Sequence, residues 1–360
     1  MSRTAAFSFL CSCLSSIASG RQPPESHDKN FGWATFIALA YEQRVSSAVA
    51  SAMGGLFPHH SPPSGAISYL VGLAAHHRQR NQKVLEEAIE VAKILNRIDI
   101  TPVFMKGGAH LFTGLYPDIG MRQMADLDIL VPATRANDCV AALNAHGIVP
   151  TGNYIHPRSH HCRPLGRVDL PIPVELHHEV LAYPNRGFLL SEEMRSTATP
   201  LEDFGVRIAV PSVACAVIHN IAHAQLSDHD YLYGRIDLRG LLDLARLTHV
   251  HRDKIDWDEI RRRFVDGGWK NALEYHLQMA RLLGAKIPPP ERGGPVSRLL
   301  SRRGLYHARK PRMLSLSVRL LRPLVLLSRE LSDSALRRRL AGNVLKLGWW
   351  RRHLRMLTDA

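Results

Sequence analysis

The chain changes its hydrophobic period at Thr101, and that change limits the folds open to it. Before this point, Ile67 to Ile98 is rich in Ala, Glu, Lys and Gln, with Val84, Leu85, Ala88, Val91, Ala92 and Leu95 forming the stripe of an amphipathic helix. After it, Thr101 to Gly108 reads TPVFMKGG, a short apolar run closed by paired glycines, and Asp126 to Pro132 reads DLDILVP, with acids alternating against apolar residues. The first predicts a buried strand leaving into a turn, the second a strand with one polar face. Helical patterns therefore enclose a small sheet.

The rest of the chain divides around this centre. Residues 31 to 53 carry apolar residues at helical spacing, and Met53 to Gly65, with its prolines and glycines, predicts a loop. Helices are expected at Ala109 to Leu115 and, after Pro132, at Ala133 to Ala145; further strands at 173 to 177 (PVELH) and 206 to 211 (VRIAVP). The stretch from Gly147 to Pro173 has no clear period. Beyond it, Ser212 is placed to cap a helix in SVACAVIHNIAHAQL, and DLRGLLDLARLTH pairs with it. Lys286 to Pro295, rich in proline and glycine, forms a boundary. The expected organisation is an N-terminal helical region over 1 to 100, a core over 101 to 211, a helical region over 212 to 287 and a basic helical tail over 288 to 360.

Composition narrows the setting. With 360 residues, 45% hydrophobic and 22% charged, the chain has enough apolar surface for a real core. Five scattered cysteines do not make a disulfide framework, which favours a reducing, cytoplasmic location. No uncharged apolar run reaches the length of a membrane span, and Ala5 to Ser19, broken by serines, reads as an ordinary first helix. The formal charge of +14 is uneven: Glu291 to Ala360 holds 17 Lys and Arg against 4 Asp and Glu. Such a block suits an anionic partner, whether nucleic acid, membrane surface or acidic protein, or else a solvated helical face.

Chemistry concentrates in Lys106 to Val131. On a strand, Asp126 and Asp128 project from one face while Leu127, Ile129 and Val131 take the other. Two adjacent carboxylates repel, and beside apolar residues that repulsion is costly unless a cation is shared. Hard oxygen ligands at this spacing suit Mg²⁺ or Mn²⁺. Upstream, Gly107 and Gly108 let backbone N–H groups approach a phosphate at a helix start, and Lys106 adds a point charge. Arg122 is placed to hold another phosphate oxygen or to brace Asp126. A cation site beside an anion site describes a nucleoside triphosphate with its metal.

In this order Lys106, Gly107, Gly108, Leu111, Tyr116, Pro117, Arg122, Asp126, Asp128 and Val131 resemble the uncharacterised nucleotidyltransferases of the polymerase-β-like superfamily. Trp33 in a helical lead, Glu175 and His177 in an E-x-H strand, and Leu238 to Leu244 after a His-bearing helix extend the resemblance over about residues 10 to 285. It implies an α+β fold: a small mixed sheet flanked by N-terminal and C-terminal helical regions. It also implies Asp126 and Asp128 as the first two metal ligands, with Glu175 as the third carboxylate and Asp169 as runner-up. The implied reaction is attack by an acceptor hydroxyl, on a small molecule, peptide or protein, at the α-phosphate of an NTP such as ATP, with pyrophosphate leaving.

Other readings compete. His156, His160, His161 and Cys162, with His177 and His178, suggest zinc, but Pro157 breaks the helix that spacing needs and no paired cysteines accompany them. His219 and His223 share a helix face, either touching a ligand or packing against Asp243. There is neither an HExxH nor a GxSxG motif. On the same fold, a degenerate nucleotide sensor or adaptor and an enzyme extending RNA ends are the rivals.

Overall fold

A computed structural model describes residues 2–22, 31–53, 63–151, 159–202, 204–289 and 294–332. Four helices lead: α1 (Arg3–Ala18), α2 (Trp33–Glu42), α3 (Ser46–Met53) and α4 (Ser64–Arg97). The core follows as β1 (Val103–Phe104), α5 (Lys106–Thr113), β2 (Leu127–Leu130), α6 (Ala136–Asn144), β3 (Val149–Pro150), β4 (Leu165–Gly166), β5 (Val174–His177), α7 (Ser191–Ser196), β6 (Thr199–Leu201) and β7 (Ile208–Val210). Helices then continue as α8 (Val213–Ala222), α9 (Asp230–Tyr233), α10 (Leu238–Val250), α11 (Trp257–Asp266), α12 (Lys270–Arg281), α13 (Pro295–Arg309) and α14 (Pro311–Ser332). The fold is α+β.

The strands form one sheet in the order β3-β4-β5-β2-β1-β7-β6. The pairs β2–β5 and β1–β7 run parallel, and the other neighbours are antiparallel. Alternation along β2 separates two apolar cores. Leu127 and Ile129 join Val174 and Leu176 of β5 against Val84, Val91 and Leu95 of α4 and Cys139 and Leu143 of α6. On the opposite side Leu130 joins α1, α8 and α10. The polar residues of β2 and β5 therefore face the side covered by α8 and α10.

The expected helix over 31 to 53 is two helices. Arg44, at φ 56°, takes the left-handed conformation between them, a state that α-helical hydrogen bonding does not accommodate. The helix expected from Ala109 begins earlier, at Lys106. Strands β3, β4 and β6 were not anticipated; each has only two or three residues, too few for a period to show. Ser212 caps α8, its Oγ accepting from the Cys215 N–H at 3.3 Å. Among the described residues no helix is long and apolar enough to cross a membrane. The part of the basic tail from 333 to 360, like His156 and most of the loop expected at 53 to 65, lies outside the described residues.

Candidate active site

Parallel pairing sets Asp128 of β2 directly opposite Glu175 of β5, and Leu130 opposite His177. Because Glu175 and His177 are two apart on one strand, both project to the face that carries Asp128. One ligand atom from each of Asp128, Glu175 and His177 lies within 4.8 Å of the others, the one such group among the described residues. Asp126 sits one residue ahead of β2 and lines the same cavity, half-buried, with no hydrogen bond or ion pair among the described residues. Asp169, the alternative third acid, is on the surface with Arg167, 2.7 Å away, and takes no part.

Charge within this cluster is strongly organised. Asp128 is 2% exposed, and its Oδ1 accepts from Lys106 Nζ at 2.8 Å and faces His177 Nε2 at 2.9 Å. Burial alone would push the Asp128 carboxyl up, but Lys106 and His177 hold it well below the usual range. Asp126 goes the other way: burial and the neighbouring Asp128 charge raise it. Glu175, whose Oε2 is 3.7 Å from His177 Nε2, is drawn down by that imidazole. Burial opposes charge on Lys106 and His177, yet Asp128 keeps both above their ordinary values.

Lys106 reaches Asp128 because the backbone turns sharply after β1. Its φ is 48°, left-handed for a residue with a side chain, a strain on the order of 1 kcal/mol. The glycines after it serve packing. A Cβ on Gly107 would strike the Met124 thioether, and one on Gly108 would lie 3.2 Å from Leu127 Cδ1. Both are buried inside α5, where β2 approaches closely, so the pair meets a steric need whatever else its amides do.

A second buried cluster adjoins the first. Arg122 Nε and Nη2 donate to both oxygens of Asp243 at 2.9 to 3.1 Å, Nη1 donates to the Gln123 carbonyl at 2.8 Å, and Tyr116 Oη donates to Asp243 Oδ1 at 2.7 Å. Arg122 therefore braces Asp243 on α10, not Asp126. Its loop is held in turn by Asn81 of α4, whose Nδ2 donates to the carbonyls of Ile119 and Arg122 at 2.6 and 2.7 Å. Burial opposes the charge on Asp243, but Arg122 keeps it below its ordinary value. Burial drives the adjacent His110 down to about 4, leaving it neutral.

Both clusters open on a cavity of about 360 Å³ between the sheet, α8 and α10. His219 of α8 and His223, the residue after it, line it, but neither is a partner of Asp243: His223 Nδ1 lies 3.5 Å from Asp228, and the buried Nε2 of His219 has no partner among the described residues. Burial and the Lys106 charge hold His219 neutral. His160 and His161 stack near the His177 ring, at centroid distances of 5.1 and 5.3 Å, without forming a further metal-ligating group among the described residues. Arg239, at the start of α10, is the residue that sequence reasoning missed. Among the described residues it makes one long bond, Nη1 to the Gln123 carbonyl at 3.4 Å, and its buried Nε has no partner. Its only sequence signal was its place in the L-R-x-L-L-D-L run. His177 stood in view as the E-x-H residue, but not as the brace of Asp128.

No curated protein and no solved structure matches this chain. The sequence pattern of one family, described as an uncharacterised nucleotidyltransferase, matches residues 29–285, more than two thirds of the chain and the whole of both clusters. With that span matched, the chain belongs to the uncharacterised nucleotidyltransferase family.

Proposed function

We propose that the protein transfers a nucleoside monophosphate from an NTP to a hydroxyl of a small-molecule, peptide or protein acceptor. The observation that carries this reading is the register of Asp128 against Glu175, two acids side by side at the edge of a cavity that Glu175 lines, with Lys106 already lying on Asp128. Asp126, Asp128 and Glu175 would hold Mg²⁺ or Mn²⁺. The donor chemistry supports this: oxygens of Asp128 and Glu175 converge with a nitrogen of His177, the protein places its own cation at Asp128 Oδ1, and Asp126, outside that group, lines the same cavity and would have to turn toward the ion. Such an ion supplies charge neutralisation at the phosphates.

The chain's own groups supply the rest. Arg239 lines the cavity with its buried Nε unpartnered among the described residues, and it would be the cation best suited to phosphate oxygens, with Lys106 as a second. Burial and the nearby Arg122 charge weaken its protonated form, a tension that a bound anion relieves. The acceptor oxygen bonds to the α-phosphorus as the bond to the β-phosphate oxygen breaks, releasing pyrophosphate. A carboxylate of the set takes the hydroxyl proton, and the neutral Nε2 of His219 is placed to orient that hydroxyl. Gly107 and Gly108 allow the close approach of α5 to β2 that brings Lys106 into place.

Incubation with α-labelled NTPs, Mg²⁺ or Mn²⁺ and fractionated cell extract tests the proposal. Label in an acceptor, with stoichiometric pyrophosphate and loss of both in Asp128→Ala, is expected. Nucleotide binding without turnover across all four bases and both metals would make the protein a sensor and overturn the transfer.

A further inference from the structure

The described part of the basic region presents an apolar stripe to solvent. Met313, Leu316, Leu320 and Leu324 recur at intervals of three and four along α14, on one side of the helix, and Leu320 and Leu324 are 65% and 62% exposed among the described residues. Leu299 and Tyr306 add exposed apolar surface on the adjoining α13. The side of α14 that adjoins the stripe is anchored: Ser317 Oγ donates to the Tyr233 carbonyl at 3.1 Å, and Val325 is buried. The stripe is thus held in place by the body of the protein rather than being loose.

Charge beside the stripe has one sign. Arg312 and Arg319 are exposed on α14 along the flank next to the leucines, Arg322 is exposed farther round the helix, and no acid occurs from Gly294 to Val325. A surface built for phosphate backbones alone has no use for four exposed large aliphatic side chains. A helix with leucines on one side and arginines along its edge matches an interface where acyl chains meet anionic headgroups.

We propose that α14, with α13 beside it, docks the protein on an anionic lipid surface, lying flat with Leu316, Leu320 and Leu324 entering the acyl boundary and the arginines at the headgroups. The inference stands on this surface alone and is independent of the nucleotidyl-transfer reading.

Sedimentation of the full-length protein with vesicles tests it, using phosphatidylcholine alone and an equimolar mixture with phosphatidylglycerol. Binding is expected on the mixed vesicles and absent or much weaker on the neutral ones. Leu316→Glu with Leu320→Glu is expected to lower binding by more than about tenfold, and Arg312→Ser with Arg319→Ser by about tenfold. Leu320→Ser with Leu324→Ser, a milder pair at exposed sites, gives the same direction should the glutamates disturb the fold. Equal binding to both vesicles, or undiminished binding by both leucine variants with native melting, overturns the proposal. So does a leucine-dependent dimer by light scattering that sediments with neither vesicle, or an RNA that binds tightly while no vesicle does.

Discussion

Two buried carboxylates, Asp243 in the wall of the cavity and Asp128 in contact with the wall residues Lys106 and His177, meet the same problem in opposite ways. Asp243 is closed: Arg122 grips both oxygens and Tyr116 adds a third donor. Asp128 is left open. A single oxygen receives both Lys106 and His177, Glu175 has only a share of that same His177 at 3.7 Å, and Asp126 has no ion pair among the described residues. A saturated ion pair of the first kind holds elements together, here the loop before β2 and α10. The second kind leaves negative charge uncompensated where a ligand can complete it. A cation whose buried Nε is unpartnered among the described residues, Arg239, lies on the same cavity, so both halves of an ionic ligand have somewhere to go.

The contrast is broken most directly at the two aspartates. Asp128→Ala should lower the rate of nucleotidyl transfer by about 10³-fold or more, about 4 kcal/mol of transition-state stabilisation, while circular dichroism shows a native fold. Asp243→Ala should do the reverse. It strands Arg122 in the interior and should cost about 3 to 5 kcal/mol in denaturant unfolding, with activity lost in proportion to the folded fraction. If Asp243→Ala proves stable and inactive, the two sites have been assigned the wrong way round.

Next in size is a pH effect on the closed cluster. His110 is held neutral with its folded value at about 4 against an ordinary 6.5, because burial disfavours its charged form. Between those values the unfolded chain binds a proton that the folded chain refuses. Stability is therefore present in full above about pH 6.5 and falls as the solution is acidified toward 4, by about 3 kcal/mol from this group. Unfolding free energies measured across that range should show the slope, and His110→Gln should flatten it.

How much of this was legible in the sequence follows from the reach of each signal. Asp126, Asp128 and the apolar residues between and after them announced a two-faced strand because alternation is a local pattern. Glu175 was found through its neighbour His177, and the parallel register later set it against Asp128. Arg122 and His219 were harder. Whether Arg122 serves a ligand or a structural pair depends on Asp243, far along the chain, and nothing local encodes that meeting. Arg239 escaped for the same reason: an arginine early in a helix looks like a solvated face until the cavity in front of it is known. Short strands such as β4 escaped because two residues carry no period.

Arg239 sharpens the open side of the comparison. Arg239→Ala should leave unfolding free energy within about 0.5 kcal/mol, since among the described residues the side chain makes only one long bond. The KM for NTP should rise roughly 30-fold, as the loss of about 2 kcal/mol of charge-assisted hydrogen bonding requires. Arg239→Lys should recover part of it. A change in stability with unaltered KM would return Arg239 to the structural class alongside Arg122.

The smallest expected effect separates packing from phosphate binding at the glycine pair. A methyl group at Gly107 meets the Met124 thioether, the far end of a flexible side chain, and also lies 3.0 Å from Arg122 Nη1. Gly107→Ala should therefore cost about 1 to 2 kcal/mol in stability. Shortening the neighbour, Gly107→Ala with Met124→Ala, should relieve the clash, so that the double variant is more stable than the two single losses added together predict. Were the glycine needed for its bare amide at a phosphate, the double variant would regain stability and still bind NTP poorly. Recovery of both by the same neighbour would place Gly107 with the closed cluster, as a residue that shapes the wall without touching the ligand.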